Sequence, residues 1–446
     1  MGNLARTKKR ALAVRTPGLL AAAAGAGFMP RRRLTELPYR EVLTSFAGST
    51  VNQGGGSAID LADSDHFGGG TSCARMTTDG ASGNCYFSTP VLAAGDAVDL
   101  TNGIMLIAMK SENRALLSST PWSIYASSDA APNTYTNNVR WNPPEPGGVS
   151  LNAYNRPDNE WILVPLYLAN VTSTGAPDLT AMRQFRVRLA SSSGTPTTVR
   201  IGGILLAKNA YARHPNGVIA LTFDDGRSGQ HAYGRPILNQ RGIRGTFYIV
   251  DGYLGSDSAN YMSLAQVQQL RTDGHEVGYH AATGAAHGSG YPDLGPAAAV
   301  ADLRTSFANH LAWGLQAAGE PKHLAWPKGE WDDASYAAVS ALGFTSMRLT
   351  GGDATHMEAF PPVSRLKIVS ASSSAALTSL ALMQAWADAV KAQKTFGVLA
   401  LHQINSNVTS SNGTNWKDLE TFIDYCIAAG IAFASIGEAT EALVRS

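Results

Sequence analysis

The stretch Thr222-Phe223-Asp224-Asp225-Gly226 follows the apolar run Gly-Val-Ile-Ala-Leu at residues 217–221. The run is short, continuous and rich in branched side chains, which is typical of a buried strand. Two adjacent carboxylates at its end are costly to bury unless a cation or other partners stabilise them. A bound cation would leave one acid as a ligand and the other as a base. The sequence therefore predicts a metal-dependent hydrolytic site at a strand end.

Three histidines farther along the chain could complete such a site. His280 and His402 each follow a predicted strand, and His287 lies in a glycine-rich segment. Imidazole is a common zinc ligand and a common acid–base group near neutral pH. The chain thus supplies both a metal cage and proton-transfer groups.

The C-terminal part of the chain, residues 211–446, alternates predicted strands with predicted helices. A capping box at Ser263 and Gln266 begins one helix, and Val300, Leu303, Phe307 and Leu311 have helical spacing in another. Predicted strands lie at residues 245–250, 275–279, 344–349, 365–369, 396–401 and 431–435. Repeated strand–helix units predict a parallel sheet, closed or nearly closed into a distorted (β/α) barrel. The acids and histidines would meet at the carboxyl ends of its strands.

Residues 35–210 have a different sequence pattern, which predicts an all-β unit. Residues 185–189 alternate apolar side chains with Arg186 and Arg188, and further strands are expected at 160–166 and 198–206. This pattern predicts a β-sandwich, joined to the barrel by a linker at 208–216. The segment resembles, at the level of fold only, the jelly-roll modules attached to carbohydrate-active enzymes. That resemblance suggests carbohydrate binding.

The net charge and the cysteines bear on partners and on cross-links. The net charge of +1 gives no reason to expect a nucleic-acid partner. Cys73 and Cys85 could form one bridge across a turn or remain two thiols, whereas Cys426 is expected to be a buried thiol.

Residues 1–34 need a separate interpretation because they are basic. The apolar run at 19–29 is shorter than the roughly 20 residues that span a bilayer, so no transmembrane segment is predicted. Its flanking arginines and lysines suit either a secretory signal, a basic arm that anchors the chain to an assembly partner, or a disordered leader. These alternatives stay open.

With these motifs in order, residues 215–446 resemble the polysaccharide deacetylases, the NodB-homology group also called carbohydrate esterase family 4. The first family motif is present as residues 222–226, and the resemblance makes Asp224 the general base and Asp225 a metal ligand. Residues 274–280 match the stretch that leads into the second family motif, and the resemblance makes His280 a metal ligand. The family's second histidine position holds Gly284, so His287 is the expected third ligand, reached through a bulged loop.

The remaining motifs are partly altered. Residues 325–329 read Ala-Trp-Pro-Lys-Gly, where the family's arginine is replaced by alanine; Arg365 is a candidate substitute that orients the base. The resemblance makes the Lys328 backbone N–H an oxyanion donor and His402 the general acid, and the fourth motif is not found. Side chains expected to border the substrate are Trp326, Pro327, Leu399 and Leu401.

The resemblance implies one divalent metal ion, with zinc as the leading expectation and cobalt, nickel or manganese as alternatives. It implies hydrolysis of acetyl groups on a polysaccharide such as peptidoglycan, capsule, chitin-like polymer or xylan. The alternative is a phage tail or cell-surface protein that binds glycan with a weak or inactive barrel. Either function suits an extracellular or virion-associated location.

Overall fold

Strands fill the N-terminal half of the chain, and strand–helix units fill the rest. The structure is a computed structural model. It describes residues 37–43, 45–67, 71–81, 84–101, 103–113, 122–141, 159, 161–166, 168, 171–190, 194–208, 214–350, 357, 366–373, 377–406, 413–440 and 443–445. The basic segment 1–34 and its alternative interpretations lie outside the described residues.

Twelve strands are described before residue 209, and their bounds follow in chain order. They are β1 (Leu37–Leu43), β2 (Thr50–Gln53), β3 (Ala58–Asp63), β4 (Cys73–Thr77), β5 (Asn84–Ser88), β6 (Gly103–Ser111), β7 (Trp122–Ser127), β8 (Asn138–Trp141), β9 (Ile162–Leu166), β10 (Thr172–Thr174), β11 (Gln184–Ala190) and β12 (Thr198–Lys208).

These strands form two antiparallel sheets. In the first sheet the long strand β12 pairs with β6, β1 and β4; β9 extends it beyond β6 and β3 beyond β4. The second sheet has the order β10-β8-β7-β11-β5-β2. Apolar side chains from both sheets, including Met76, Phe87, Leu106 and Phe185, form one core. The predicted two-sheet architecture is confirmed, and the alternation at 185–189 is the centre of β11.

The barrel strands are β13 (Val218–Phe223), β14 (Thr246–Val250), β15 (Glu276–Ala281), β16 (His323–Ala325), β17 (Ser346–Thr350), β18 (Ile368–Ser372) and β19 (Phe396–Leu401). They are parallel neighbours in that order, and β13 pairs with both β19 and β14, so seven strands close a barrel. Strand β22 (Ala432–Phe433) pairs with β13 from outside, and β20 (Gln403–Asn405) with β21 (Gly413–Asn415) forms a short ribbon after β19. The predicted α/β barrel is confirmed.

The described helices are α1 (Arg235–Gln240), α2 (Leu264–Thr272), α3 (Gly284–Ser289), α4 (Tyr291–Leu294), α5 (Pro296–Ala312), α6 (Asp333–Ser340), α7 (Leu380–Gln393), α8 (Trp416–Ala428) and α9 (Ile436–Thr440). The capping box of α2 is present, with reciprocal hydrogen bonds between Ser263 and Gln266. The helix predicted from Val300, Leu303, Phe307 and Leu311 is α5; its buried stripe includes Leu303, Ser306 and His310, whereas Leu311 is 57% exposed.

The last strand returns to the first sheet. Strand β23 (Leu443–Arg445) pairs in parallel with β1, joining Leu37 to Leu443 in register. Residues 443–445 were grouped with the barrel by their sequence position. A three-residue strand carries too little alternation to predict its partner.

The cysteines are not bridged. Cys73, Cys85 and Cys426 are buried free thiols, so the unbridged alternative is confirmed for Cys73 and Cys85.

Among the described helices, none combines the length and the apolar character that crossing a bilayer requires.

Candidate metal centre

Asp224 and Asp225 lie immediately after β13, at the carboxyl end of the barrel. The Asp224 N–H donates to the Leu401 carbonyl at 2.8 Å, which continues the pairing of β13 with β19 by one residue. The backbone then turns sharply, with φ of 72° at Asp225 and 70° at Gly226. A left-handed conformation is unfavourable for a residue with a Cβ and is concentrated at functional sites. The turn directs the two neighbouring carboxylates into different environments.

Three acceptor atoms converge beside this turn. The Nε2 atoms of His280 and His287 are 3.1 Å apart. The Oδ1 atom of Asp225 lies 3.6 Å from the first and 3.2 Å from the second. The prediction of His287 as the third ligand is thus compatible with the observed geometry.

The spacing of these atoms fits a single divalent ion. Ligands bound at roughly 2.0–2.1 Å to a tetrahedral zinc ion lie about 3.3 Å from one another. The Asp225 Oδ1 atom is buried and has no hydrogen-bond donor among the described residues. A buried oxygen without a donor is costly, and a cation would remove that cost. The three residues therefore fit the metal that the sequence predicts, without fixing its identity.

The protonation states of His280 and Asp225 also suit metal binding. The Nδ1–H of His280 donates to the Ala325 carbonyl at 2.8 Å, which leaves the lone pair of Nε2 facing the site. Burial lowers the pKa of His280 to about 4, so the ring is neutral. Burial alone would raise the pKa of Asp225, but the neighbouring imidazoles of His287, His280 and His402 hold the pKa of this carboxyl well below its ordinary value. Arg227 donates from Nη2 to Asp225 Oδ2 at 3.0 Å, away from the ligand oxygen.

The segment between the two histidines differs from the predicted bulged loop. Thr283 begins helix α3 by accepting a hydrogen bond from the Ala286 N–H, and His287 lies on this helix. One helical turn brings His287 back over the end of β15, where His280 lies. The seven-residue spacing is therefore bridged by regular structure.

Asp224 lies next to the metal centre and bonds an arginine that was not assigned to it. Its Oδ2 atom accepts from Arg348 Nη2 at 2.5 Å and lies 3.8 Å from His402 Nε2. Its buried Oδ1 atom has no donor among the described residues. One oxygen is thus held and the other is available to accept a proton.

Arg348 is itself fixed by the barrel. Its Nη1 donates to Thr350 and Ser370 hydroxyls, each at 3.0 Å, and its guanidinium lies over the Tyr248 ring. Arg365, predicted to orient the base, lies outside the described residues. The signal for Arg348 was its place inside a predicted buried strand, where a charge requires a partner.

A buried glutamine ties the two catalytic candidates together. Gln230 donates from Nε2 to the backbone carbonyls of Asp224, at 2.6 Å, and of His402, at 2.9 Å. It lies in a π-helical turn at Gln230–Gly234, fully buried. No sequence pattern singled it out.

The third motif forms a short turn at the rim. Lys328 has φ of 59°, and its N–H donates to no described backbone carbonyl, which suits the predicted oxyanion donor. The prediction that Trp326 contacts substrate is not supported, because its side chain is fully buried and packs near Tyr291 and Tyr336. Pro327 is also buried.

The prediction that Leu399 and Leu401 border the substrate is not supported, because both side chains are fully buried members of the barrel core. They underlie the strand end that carries His402.

Comparison with known families agrees with this geometry. The family model described as polysaccharide deacetylase matches residues 212–347. The C-terminal half of the chain therefore contains a polysaccharide deacetylase domain. A search of curated proteins gives no match.

Solved structures with some likeness include three named enzymes or enzyme relatives. The chitin deacetylase of Colletotrichum lindemuthianum is 19% identical, with 52% of this chain and 89% of that chain covered and a TM-score of 0.35. The family 4 acetyl xylan esterase of Clostridium thermocellum, in complex with cobalt, is 18% identical, with 50% and 89% covered and a TM-score of 0.34. A CE4 pseudoenzyme from Bacillus anthracis is 18% identical, with 52% and 68% covered and a TM-score of 0.35.

Proposed function

We propose that the barrel hydrolyses acetyl groups from an acetylated polysaccharide, with one divalent ion held by Asp225, His280 and His287. The observation that carries this proposal is the convergence of three acceptor atoms beside the paired Asp224 and His402. When bound, the ion would polarise water and the acetyl carbonyl as a Lewis acid. The residues of the chain would supply the proton transfers.

Asp224 acts as the general base. Its Oδ1 atom takes a proton from water as the water oxygen attacks the acetyl carbon. Arg348 keeps the other oxygen fixed, so the accepting oxygen is presented in one orientation. The Lys328 N–H donates to the carbonyl oxygen as negative charge develops on it.

His402 acts as the general acid. Its Nε2 atom donates a proton to the sugar nitrogen or oxygen as the bond to the acetyl carbon breaks. The products are acetate and a sugar amine or hydroxyl. The His402 ring is 21% exposed, so substrate can reach it from the rim.

A test combines metal analysis with an acetate assay. Purified protein should hold about one divalent ion and release acetate from at least one of chitin oligomers, peptidoglycan, acetyl-xylan and bacterial capsule. Asp224→Asn should lower the rate by roughly 10²–10⁴-fold while keeping the ion. Acetate release that is unchanged in this variant would remove the base assignment.

A second candidate is a barrel that holds glycan without hydrolysing it, as a virion or cell-surface protein would. The observation that favours it is the buried His402 Nδ1 atom, which has no hydrogen-bond partner among the described residues. A general acid normally has a second group that fixes its tautomer. Metal and glycan binding without acetate release would select this candidate.

A further inference from the structure

The ring of His287 has a polar neighbour outside the metal centre. Its Nε2 atom faces Asp225 and His280, as described above, whereas its Nδ1 atom lies 3.3 Å from the hydroxyl oxygen of Tyr253. The two rings meet edge to face, with centroids 5.6 Å apart and an interplanar angle of 74°. Tyr253 therefore contacts the ring nitrogen that the metal site does not use.

Metal binding at Nε2 determines the direction of this hydrogen bond. A neutral imidazole that offers its Nε2 lone pair to an ion carries its proton on Nδ1. In His287 that proton faces the Tyr253 hydroxyl, whose oxygen can accept it. The Ala325 carbonyl has the same place at Nδ1 of His280. Each of the two imidazole ligands thus has one acceptor beyond the metal site, and such acceptors orient a ligand ring.

A glycine makes the approach of Tyr253 possible. A Cβ atom at position 284 would lie 2.6 Å from Tyr253 Cε1, well inside the roughly 3.5–4.0 Å at which carbon atoms pack. Position 284 is the one to which the family resemblance assigns the second histidine. Here it holds Gly284, and the histidine lies one helical turn later, at His287. The missing side chain at 284 and the place of Tyr253 are therefore linked.

Tyr253 is held in turn by side chains that lead back to the metal centre. Its ring stacks on Tyr261, with centroids 4.6 Å apart. The Arg227 guanidinium lies 4.7 Å from the Tyr261 centroid and donates to Asp225 Oδ2, the oxygen that faces away from the other ligands. The outer atoms of Asp225 and His287 are thus connected through three packed side chains.

We propose that Tyr253 is a positioning residue for the metal site, which fixes the His287 ring by accepting a hydrogen bond from its Nδ1–H. The inference rests on the metal site of the proposed function and adds a residue outside the ligand set. Zinc binding without acetate release would count against the hydrolytic function alone. Unchanged zinc affinity in a Tyr253 variant would count against this inference alone.

The first test removes the hydroxyl and keeps the ring. In Tyr253→Phe, zinc affinity measured by competition with a chromophoric chelator should fall roughly 10–100-fold, the loss seen for outer partners of a metal ligand. Tyr425→Phe is the matched control, because its hydroxyl bonds Asp388 between helices α7 and α8, and it should keep full affinity. Equal melting temperatures of the metal-free proteins verify that the loss is not one of folding.

The second test displaces the tyrosine without altering it. The added Cβ in Gly284→Ala should push the Tyr253 ring away from His287 and lower zinc affinity about as much as Tyr253→Phe does. Gly288→Ala is the matched control on the same helix, since a Cβ there meets no atom within 4 Å, and it should keep full affinity. The combined variant should lose less than the product of the two single fold-losses, because both changes remove one contact.

Nitrogen NMR of zinc-loaded protein gives a readout that a merely structural tyrosine would not move. His287 should carry its proton on Nδ1, and this proton should exchange with water faster in Tyr253→Phe than in the unaltered protein. The proposal would be overturned by full zinc affinity in Tyr253→Phe, by an equal loss in Tyr425→Phe, or by a His287 proton on Nε2 in the zinc-loaded protein.

Discussion

Arg348 donates from Nη2 to Asp224 Oδ2 at 2.5 Å, and the side chains are only 1% and 3% exposed. The arginine reaches across the barrel from β17 to the end of β13. Arg348 holds the carboxylate of Asp224, which we assign as the base, although the two residues are distant in sequence. This buried pair makes Arg348 a positioning residue for the proposed reaction.

Replacing Arg348 tests that role. Arg348→Lys keeps a positive charge but removes the planar fork, so Asp224 should lose its fixed orientation. We expect kcat for acetate release to fall roughly 10–100-fold, as misplacement of a reacting group does, with KM and bound metal little changed. A parallel change in Arg241, which pairs with Asp424 on the surface, should leave kcat unchanged. An unaltered kcat in Arg348→Lys would show that the pair is structural only.

The third ligand is tested by His287→Ala. Loss of one of three ligands should lower zinc affinity by more than the roughly 10–100-fold seen for outer partners of a metal. Competition with a chromophoric chelator measures the affinity. His66→Ala, an exposed histidine of the sandwich, is the control. Full zinc affinity in His287→Ala would exclude His287 from the metal site.

A buried histidine below the site predicts acid sensitivity of the fold. His275 accepts from the Gly245 N–H at Nδ1, and its Nε2 bonds Asn239 Oδ1, so the neutral ring is matched to both partners. Burial lowers the pKa of His275 from 6.5 to about 4. The unfolded chain therefore binds the proton more readily, and the stability contribution, present above pH about 6.5, is lost as pH falls toward about 4.

The gap between the two pKa values corresponds to about 3 kcal/mol of unfolding free energy. Chemical denaturation at a series of pH values should show a smaller loss between these limits in His275→Asn, which keeps an acceptor for Gly245. An identical pH dependence in the two proteins would contradict the assignment.

The three thiols provide a test of the sandwich and barrel packing. Burial raises the pKa of Cys73 to about 12, of Cys85 to about 11 and of Cys426 to about 12. Thiolate is the reactive form, so native protein should react very slowly with a thiol reagent at neutral pH. In denaturant without a reducing agent, all three thiols of the unfolded chain should react rapidly. One reactive thiol would instead indicate a bridge between Cys73 and Cys85.

Local sequence predicted the parts of the site that occur at strand ends. The acids at 224–225 and His402 follow continuous apolar runs, and such runs become neighbouring parallel strands whose ends meet. The start of helix α2 at Ser263 could be predicted equally well, because a capping box depends on two residues only three positions apart.

Other parts depend on closure of the barrel. Arg348 and Gln230 contact Asp224 only once β13, β17 and β19 are arranged in a ring. The route to His287 was predicted as a bulge because glycine and alanine at 284–286 suit loops; Thr283 caps them into a helix instead. The pairing of β23 with β1 likewise joins residues 37–39 to residues 443–445, which no local pattern records.

The central claim is that one ion held by Asp225, His280 and His287 enables acetate release. Its most direct measurement is a titration of zinc into metal-stripped protein while acetate release from the best substrate is followed. The account predicts no release without metal and a rate that rises in proportion to bound zinc, levelling at one ion per chain. Acetate release by the stripped protein, or none once a full equivalent is bound, would contradict it.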